Sequence, residues 1–452
     1  MAAGAYPRWL AAAAALVFLA GCTSALPAPS RGSGSPSPAA SPTPTVDRNG
    51  RLATELLQAV RQQNFRGVTD TALPGGGSGP ARQVPNVDVT VVELATDGRP
   101  LSTADVLLSP RYPDGKVVPV DTNLATDQVR WRYWDDSEWD RQNGQGSRDV
   151  LPGLEKAPID YMSPYPASIL KLMVGYGILR LVDRGQLSLD QTYSYEPTLP
   201  DGFCGGSVSR KVRQFFDDMI TVSSDASTCA LIQVLRDHGG IDALNNQFTQ
   251  LGMPTLKLVG GFTGSNMGAL DTAKLLLLIS GGPGTLWTAP GGRAVTAAEL
   301  TAASRQFFLS ELGNQGLNQV LSTSNWCGRG YPSAGIPQVT PSRWINPSNG
   351  TVTADGRYYG RDVRPCNATA EVTFAHKTGL VVRAGGDAGI VHSLPGKPGR
   401  NYIIVVQSHL GNRYVDPHRP ADPSGVYPVA YTQKFGQLGL AIDQIVTAHH
   451  NS

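Results

Sequence analysis

The chain has 452 residues, 40% hydrophobic and 16% charged, with 38 basic residues against 36 acidic ones and a net charge of +2. That balance carries no electrostatic footprint for nucleic acid or an anionic membrane surface, and the apolar content excludes a disordered chain while allowing one large domain or two ordinary ones. Gly (51) and Pro (34) are plentiful, so loops are long or numerous, and only nine of the basic residues are lysine. Arginine serves wherever a positive charge is all that is needed, so each lysine merits inspection.

Arg8 supplies a positive start, and Trp9 to Ala20 is an apolar run too short to span a bilayer, as in a signal peptide over residues 1–21. It ends in Leu19-Ala20-Gly21-Cys22, which resembles the bacterial lipobox. The resemblance implies cleavage before Cys22, lipid (palmitate) attachment to it, and tethering on the extracytoplasmic face of the cell membrane through the lipid alone. An ordinary signal peptide with a chance cysteine is the competing reading. Residues 22–48 are rich in Pro, Ser and Thr and read as a disordered tether. Residues 49–452 are left for one domain.

Leu52, Leu56 and Val60 fall at helical spacing, which predicts a helix from about Gly50 to Phe65. Val87, Val89 and Val91 alternate with polar residues, and Asp97-Gly98 follows as a turn: a strand and its exit. Residues 99–156 read as an irregular insertion carrying Trp131, Tyr133, Trp134 and Trp139. These aromatics serve either as a carbohydrate-stacking platform or, preferably, as the packing of the insertion. Ser168 to Asp183 is apolar nearly all round, as in a buried helix. Further helices are expected near 210–220, 226–238, 241–251, 270–280 and 296–313. Strands follow at Glu371–Lys377, Ala388–Ser393 and Asn401–His409, then a closing helix around Val429–Ala448. This is an α/β (α+β) pattern in which both chain ends meet beside one sheet.

Beyond Cys22 the cysteines are Cys204, Cys229, Cys327 and Cys366, an even number suited to an oxidising compartment. Of three possible pairings the local one, Cys204–Cys229 with Cys327–Cys366, is preferred. The second would close a Gly/Pro/Ser-rich insertion over 328–365, which shapes substrate access or is surface decoration. No CxxC or HxxxH spacing points to a metal, and no cofactor is expected.

Ser168-Ile169-Leu170-Lys171 opens the buried helix, and its serine and lysine share a face at i and i+3. A lysine in an apolar helix has its charged form disfavoured, which suits a general base. Ser224-Asp225-Ala226 precedes a further apolar helix, and Lys377-Thr378-Gly379 ends a strand. The order Ser-x-x-Lys, Ser-Asp-x, Lys-Thr-Gly, with Ser168, Ser224 and Lys377 as markers, is the signature set of class A β-lactamases and penicillin-binding proteins. The sequence resembles that superfamily from about Leu52 to Ala448.

The resemblance implies an antiparallel sheet flanked by N- and C-terminal helices, plus an all-helical subdomain. Ser168 would form an acyl-enzyme, with Lys171 taking its proton. Ser224 would relay a proton to the leaving group, with Lys377 steadying charge. The backbone N–H groups of Ser168 and Leu380 would form the oxyanion hole. Thr378 and Gly379 would bind substrate. Arg383 would join them or lie solvated in its hairpin, the latter preferred, and His376 would face away from the site as a structural residue.

Two departures matter. The family usually has Asn where Ala226 stands, and Ala226 neither contacts a substrate amide nor orients a lysine. Class A β-lactamases also activate water with a loop glutamate, and here no glutamate lies between Glu196 and Glu299. Asp271 reads as a helix N-cap. The expected function is an envelope lipoprotein serine hydrolase cleaving an amide or ester, on a small molecule or cell-wall peptide, as a monomer and with slow β-lactam turnover. The alternatives are a true β-lactamase and a non-catalytic binding or scaffold lipoprotein.

Overall fold

The computed structural model describes residues 47–73, 75–142, 147–198, 202–327, 335–415 and 430–451. The expected signal peptide, Cys22 and nearly all of the tether lie outside the described residues. The rest is built on a six-stranded antiparallel sheet. Its strands in chain order are β1 (Val87–Leu94), β2 (Pro100–Ser109), β3 (Tyr112–Val118), β4 (Val372–Leu380), β5 (Gly385–Ser393) and β6 (Asn401–Ser408). Across the sheet they run β4-β5-β6-β1-β2-β3, so the first strands of the domain pair with the last.

The period of two sorts their side chains. Val87, Val89 and Val91 of β1 join Tyr402, Ile404 and Val406 of β6 in one core, with Leu52 and Leu56 of α1 (Arg48–Gln62) and Phe435, Leu438 and Ile442 of α10 (Ala430–His450). Val92, Leu94, Ile403 and Val405 belong to the other core, with the helical part of the chain. That part holds α3 (Lys171–Asp183), α4 (Val212–Thr221), α5 (Asp225–Asp237), α6 (Gly240–Gln250), α7 (Ala269–Ser280) and α8 (Ala302–Gly313). Buried helix α3 runs through its middle, and Gly175 is there for space: a Cβ would come within 2.6 Å of the Phe308 ring.

The segment expected to be irregular at 99–156 is not so. Residues 100–118 are β2 and β3 of the main sheet. The alternation that betrays a half-buried strand is missing because both faces of β2 are covered, and edge strand β3 carries Pro113, Asp114 and Lys116 exposed, as edges do. Val129–Arg132 and Ile159–Met162 form a parallel pair, and α2 (Asp136–Gln142) lies between them in sequence. Trp131 and Trp139 are buried, and Trp134 and Trp139 pack on the His409 ring, so these aromatics serve the packing of the segment.

Both local disulfides form, Cys204–Cys229 and Cys327–Cys366. The second closes more than a loop. Thr351–Ala354 and Arg357–Asp362 make a hairpin with a small core of Trp326, Val352, Tyr359 and Val363, and α9 (Arg364–Thr369) carries Cys366.

Two carboxyls sit inside the sheet: Asp88 and Asp105, on neighbouring strands, are fully buried, with Asp105 Oδ1 accepting from Thr90 Oγ1 at 3.0 Å. Burial pushes Asp88 up to about 6, against the N–H of Ala269 on its Oδ2 at 3.0 Å. Burial, then the charge of Asp88, pushes Asp105 well above the usual carboxyl range. Two carboxyls in this position hold a proton between them.

Candidate active site

Ser168 lies in a 3₁₀ turn, Ala167–Leu170, that runs directly into α3. The turn is made tight by Ala167, whose φ of 49° is in the left-handed region. Strand β4 comes up against it at Gly379, where a Cβ would stand 2.8 Å from the Pro166 oxygen and 3.1 Å from the Ile169 nitrogen. Glycine is required here for close approach rather than for its backbone angles. Lys-Thr-Gly and Ser-x-x-Lys are thereby brought together as expected.

The middle motif is shifted by one residue. Ser224 is the N-cap of α5: its Oγ accepts from Ser227 N at 3.2 Å, and its carbonyl accepts from Thr228 Oγ1 at 2.7 Å. A serine ahead of an apolar helix is used up by that job, since it answers a backbone N–H that the helix leaves open. The residue before the cap is forced into the left-handed region, Ser223 with φ of 60°, and its hydroxyl faces the lysines. Lys171 Nζ lies 3.0 Å from Ser223 Oγ, and Lys377 Nζ lies 2.9 Å from the same atom. Ser223, not Ser224, is therefore the serine of the site. The triplet reads Ser223-Ser224-Asp225, and Asp225, not Ala226, holds its third place. Ala226 instead faces the 202–205 turn, where a Cβ on Gly205 would approach it to 3.1 Å.

Asp225 carries a function that spacing did not suggest. Its Oδ1 takes an ion pair from Lys171 at 2.7 Å, and Lys171 also donates to the Ser223 carbonyl at 2.5 Å. Among the described residues, then, Lys171 bonds Ser223 and Asp225, and no bond joins it to Ser168, whose proton it was expected to take. Burial lowers Lys171 from the ordinary lysine value, opposed by the charge of Asp225. Burial, then the charge of Lys171, lowers Lys377 much further, and the carboxylates of Asp387 and Asp225 only partly offset this. Lys377 also donates to the Thr378 carbonyl at 2.8 Å. Of two lysines on one hydroxyl, Lys171 is the better supported as a cation and Lys377 as a neutral amine.

Arg383 is not simply solvated in its hairpin, as preferred from the sequence, but paired across to α2. Its guanidinium donates twice to Asp140 of α2, both at 2.9 Å, and lies 3.6 Å from Asp136. His376 does point away from the site: it is buried, stacked on Phe374, and each ring nitrogen meets an oxygen at 2.7 Å, one from Asp387 and one from Asn318.

The loop 252–268 between α6 and α7 contains no carboxylate. What it lends the site is Phe262, whose ring centroid lies 5.9 Å from Lys171 Nζ and whose carbonyl accepts from Tyr165 Oη at 2.8 Å. Asp271 is not the cap of α7, a place taken by Gly268. It sits in the first turn and pins the loop by accepting from Thr255 N and Oγ1 at 2.8 and 2.6 Å.

Residues 162–304, which include Ser168, Lys171, Ser223 and Asp225, match the family model described as "Beta-lactamase enzyme family". No curated relative matches the sequence. Among solved structures the chain is similar to a mutant of PBP-A in an acyl-enzyme complex with penicillin G, at 16% identity over 88% of this chain and 96% of that one, with a TM-score of 0.46. It is similar also to a β-lactamase from Chitinophaga pinensis, at 15% identity over 88% and 99% of the two chains and a TM-score of 0.44. For a β-lactamase from Sphaerobacter thermophilus the figures are 14%, 87%, 97% and 0.43.

Proposed function

We propose that this chain, whose residues 162–304 match the β-lactamase family model, is a serine hydrolase that opens an amide or ester through an acyl-enzyme on Ser168. The observation that carries the reading is the Ser223 hydroxyl held by two lysines from two elements, Lys171 at 3.0 Å and Lys377 at 2.9 Å. A hydroxyl set between a cation and an amine deprived of its charge is a proton carrier.

In this reading Ser168 Oγ attacks the carbonyl carbon, a C–O bond forms, and the bond to the leaving nitrogen or oxygen breaks. Lys171, one helical turn along from Ser168, first passes its own proton through the Ser223 hydroxyl to the neutral amine of Lys377 and then, as a free amine, takes the proton Ser168 gives up. Ser223 delivers one proton to the leaving atom and is resupplied from the lysines, so the charge balances. Water then cleaves the acyl ester and returns Ser168. The N–H groups of Ser168 and Leu380 are the oxyanion donors, reached because Gly379 lets β4 approach the turn, and Thr378 with Gly379 borders the substrate.

Rapid β-lactam hydrolysis is not what the residues support. The acyl ester needs a placed base, and loop 252–268 offers Phe262 where such a base would come from. Labelled benzylpenicillin and a chromogenic ester test the reading together. We expect a persistent acyl-enzyme and slow ester turnover, both lost in Ser168→Ala. Fast penicillin turnover would make the chain a β-lactamase instead, and neither labelling nor ester cleavage would make it a scaffold.

We also propose that the chain is exported and lipid-anchored at Cys22, as a monomer acting on a small molecule or cell-wall peptide. The support is the lipobox-like run ending at Cys22. Intact mass of the membrane-extracted protein checks this, through a diacylglyceryl increment that Cys22→Ser abolishes.

A further inference from the structure

Beside the two lysines stands a surface that the acyl-transfer chemistry does not use. Asp225 pairs with Lys171 through one oxygen, yet its side chain is 45% exposed and no bond to Oδ2 is formed among the described residues. Phe203 is 51% exposed, unusual for so large an apolar side chain, and its ring meets Phe262 edge-on with centroids 5.2 Å apart. Phe262 in turn reaches Lys171. The placement is held covalently: Phe203 precedes Cys204, whose disulfide to Cys229 ties the turn to α5, the helix that Asp225 begins. An open aromatic edge and an open carboxylate are thus fixed on one rim of the site.

A carboxylate only accepts hydrogen bonds, so it repels a substrate carbonyl and welcomes an ammonium or N–H. An aromatic face adds attraction for the same cation and area for an apolar body. Arg383 does not serve to draw an anion there, because it is engaged by Asp140 and Asp136. We infer that Asp225, Phe203 and Phe262 form an acyl-side subsite selecting substrates whose acyl group carries a protonated amine next to an aromatic or bulky apolar body. The inference rests on the serine-hydrolase reading for its chemistry, but the subsite is defined by binding and is testable apart from it.

Three penicillins share one nucleus and differ in this respect alone: carbenicillin carries an anionic aryl side chain, benzylpenicillin a neutral one and ampicillin a cationic one. Acylation of Ser168 is followed by intact mass at about pH 6, below the ordinary range of an α-amino group. For a half-exposed ion pair with an aromatic contact we expect ampicillin to react about three- to tenfold faster than benzylpenicillin, and carbenicillin slower by a similar factor. Asp225→Asn should compress all three to within about twofold of one another, whatever it does to the absolute rate. Phe203→Ala should slow all three and keep their order. The same compounds titrated calorimetrically into Ser168→Ala give the order of Kd without chemistry. Equal affinities there, or an order that survives Asp225→Asn, would overturn the subsite. Absence of acylation with the Kd order intact would instead overturn the proposed reaction and leave the subsite standing.

Discussion

Gly379 touches Pro166: the α-carbon of the one faces the carbonyl oxygen of the other so closely that a methyl group would stand 2.8 Å from it. This contact sets the distance between β4 and the turn that carries Ser168. Gly379→Ala should move the strand off the turn, costing about 1–3 kcal/mol of stability as overpacking does. Acylation should fall much further, about a hundredfold, since a shift of about 1 Å is enough to misplace the reacting groups. Denaturant midpoints and penicillin labelling rates, measured side by side, separate the two effects.

The one-residue frame of the middle motif is open to a paired test. Ser223→Ala removes the hydroxyl shared by Lys171 and Lys377 and should lower acylation by about a hundredfold or more, with little change in melting temperature. Ser224→Ala removes the α5 cap and should cost about 1 kcal/mol while leaving acylation within a few-fold. The reverse pattern would restore Ser224 as the serine of the site.

The lysines predict a pH dependence. Burial and the charge of Lys171 depress Lys377, so its neutral form is present well below the range where a free lysine loses its proton. Acylation should rise with pH through a midpoint far below about 10. Lys377→Arg, which keeps its charge, should lose that rise. Between the depressed value and the ordinary one the folded chain binds fewer protons than the unfolded chain. Stability of the wild type relative to Lys377→Met should therefore increase with pH across that window.

Asp88 and Asp105 predict the opposite slope. Their folded values are raised, Asp88 to about 6 and Asp105 well above the usual range, so the folded chain holds a proton that the unfolded chain has released. Their stabilising share is present at low pH and is lost as pH rises through those folded values. Asp105→Asn keeps a donor for Asp88 and removes one titration, so its stability curve above about pH 6 should be flatter than the wild type's. Urea unfolding at a series of pH values measures the difference.

The parts read correctly from sequence are those where one physical demand governs the pattern. Val87, Val89 and Val91 alternate because one face of β1 meets α1 and α10, and α3 is apolar all round because it is enclosed. The disulfides fell to the local pairing. Strands β2 and β3 were hidden, the one because both faces are covered and alternation vanishes, the other because an edge needs polar residues. A serine directly ahead of an apolar helix serves as its cap, and the motif order alone does not say which of Ser223 and Ser224 that is. Arg383 was illegible for a different reason. Its partner Asp140 is 243 residues away, and no local pattern encodes such a meeting. Asp225 was visible, but its charge acquires meaning only from the lysine beside it.

Strand β1 finds its inner neighbour, β6, more than 300 residues further along the chain, through Val92 opposite Ile403 and Val89 opposite Val406. A chain emerging from its N-terminus therefore carries a strongly apolar strand, paired on its β2 side alone, until nearly all of it has been delivered. Closing so distant a pair is slow, because the loop must be shut before the contacts reward it. Folding of this domain is then an event of completion, not of progress along the chain. A shortened form ending before Asn401 would leave Val87, Val89 and Val91 on a bare edge, which is the surface on which such chains aggregate.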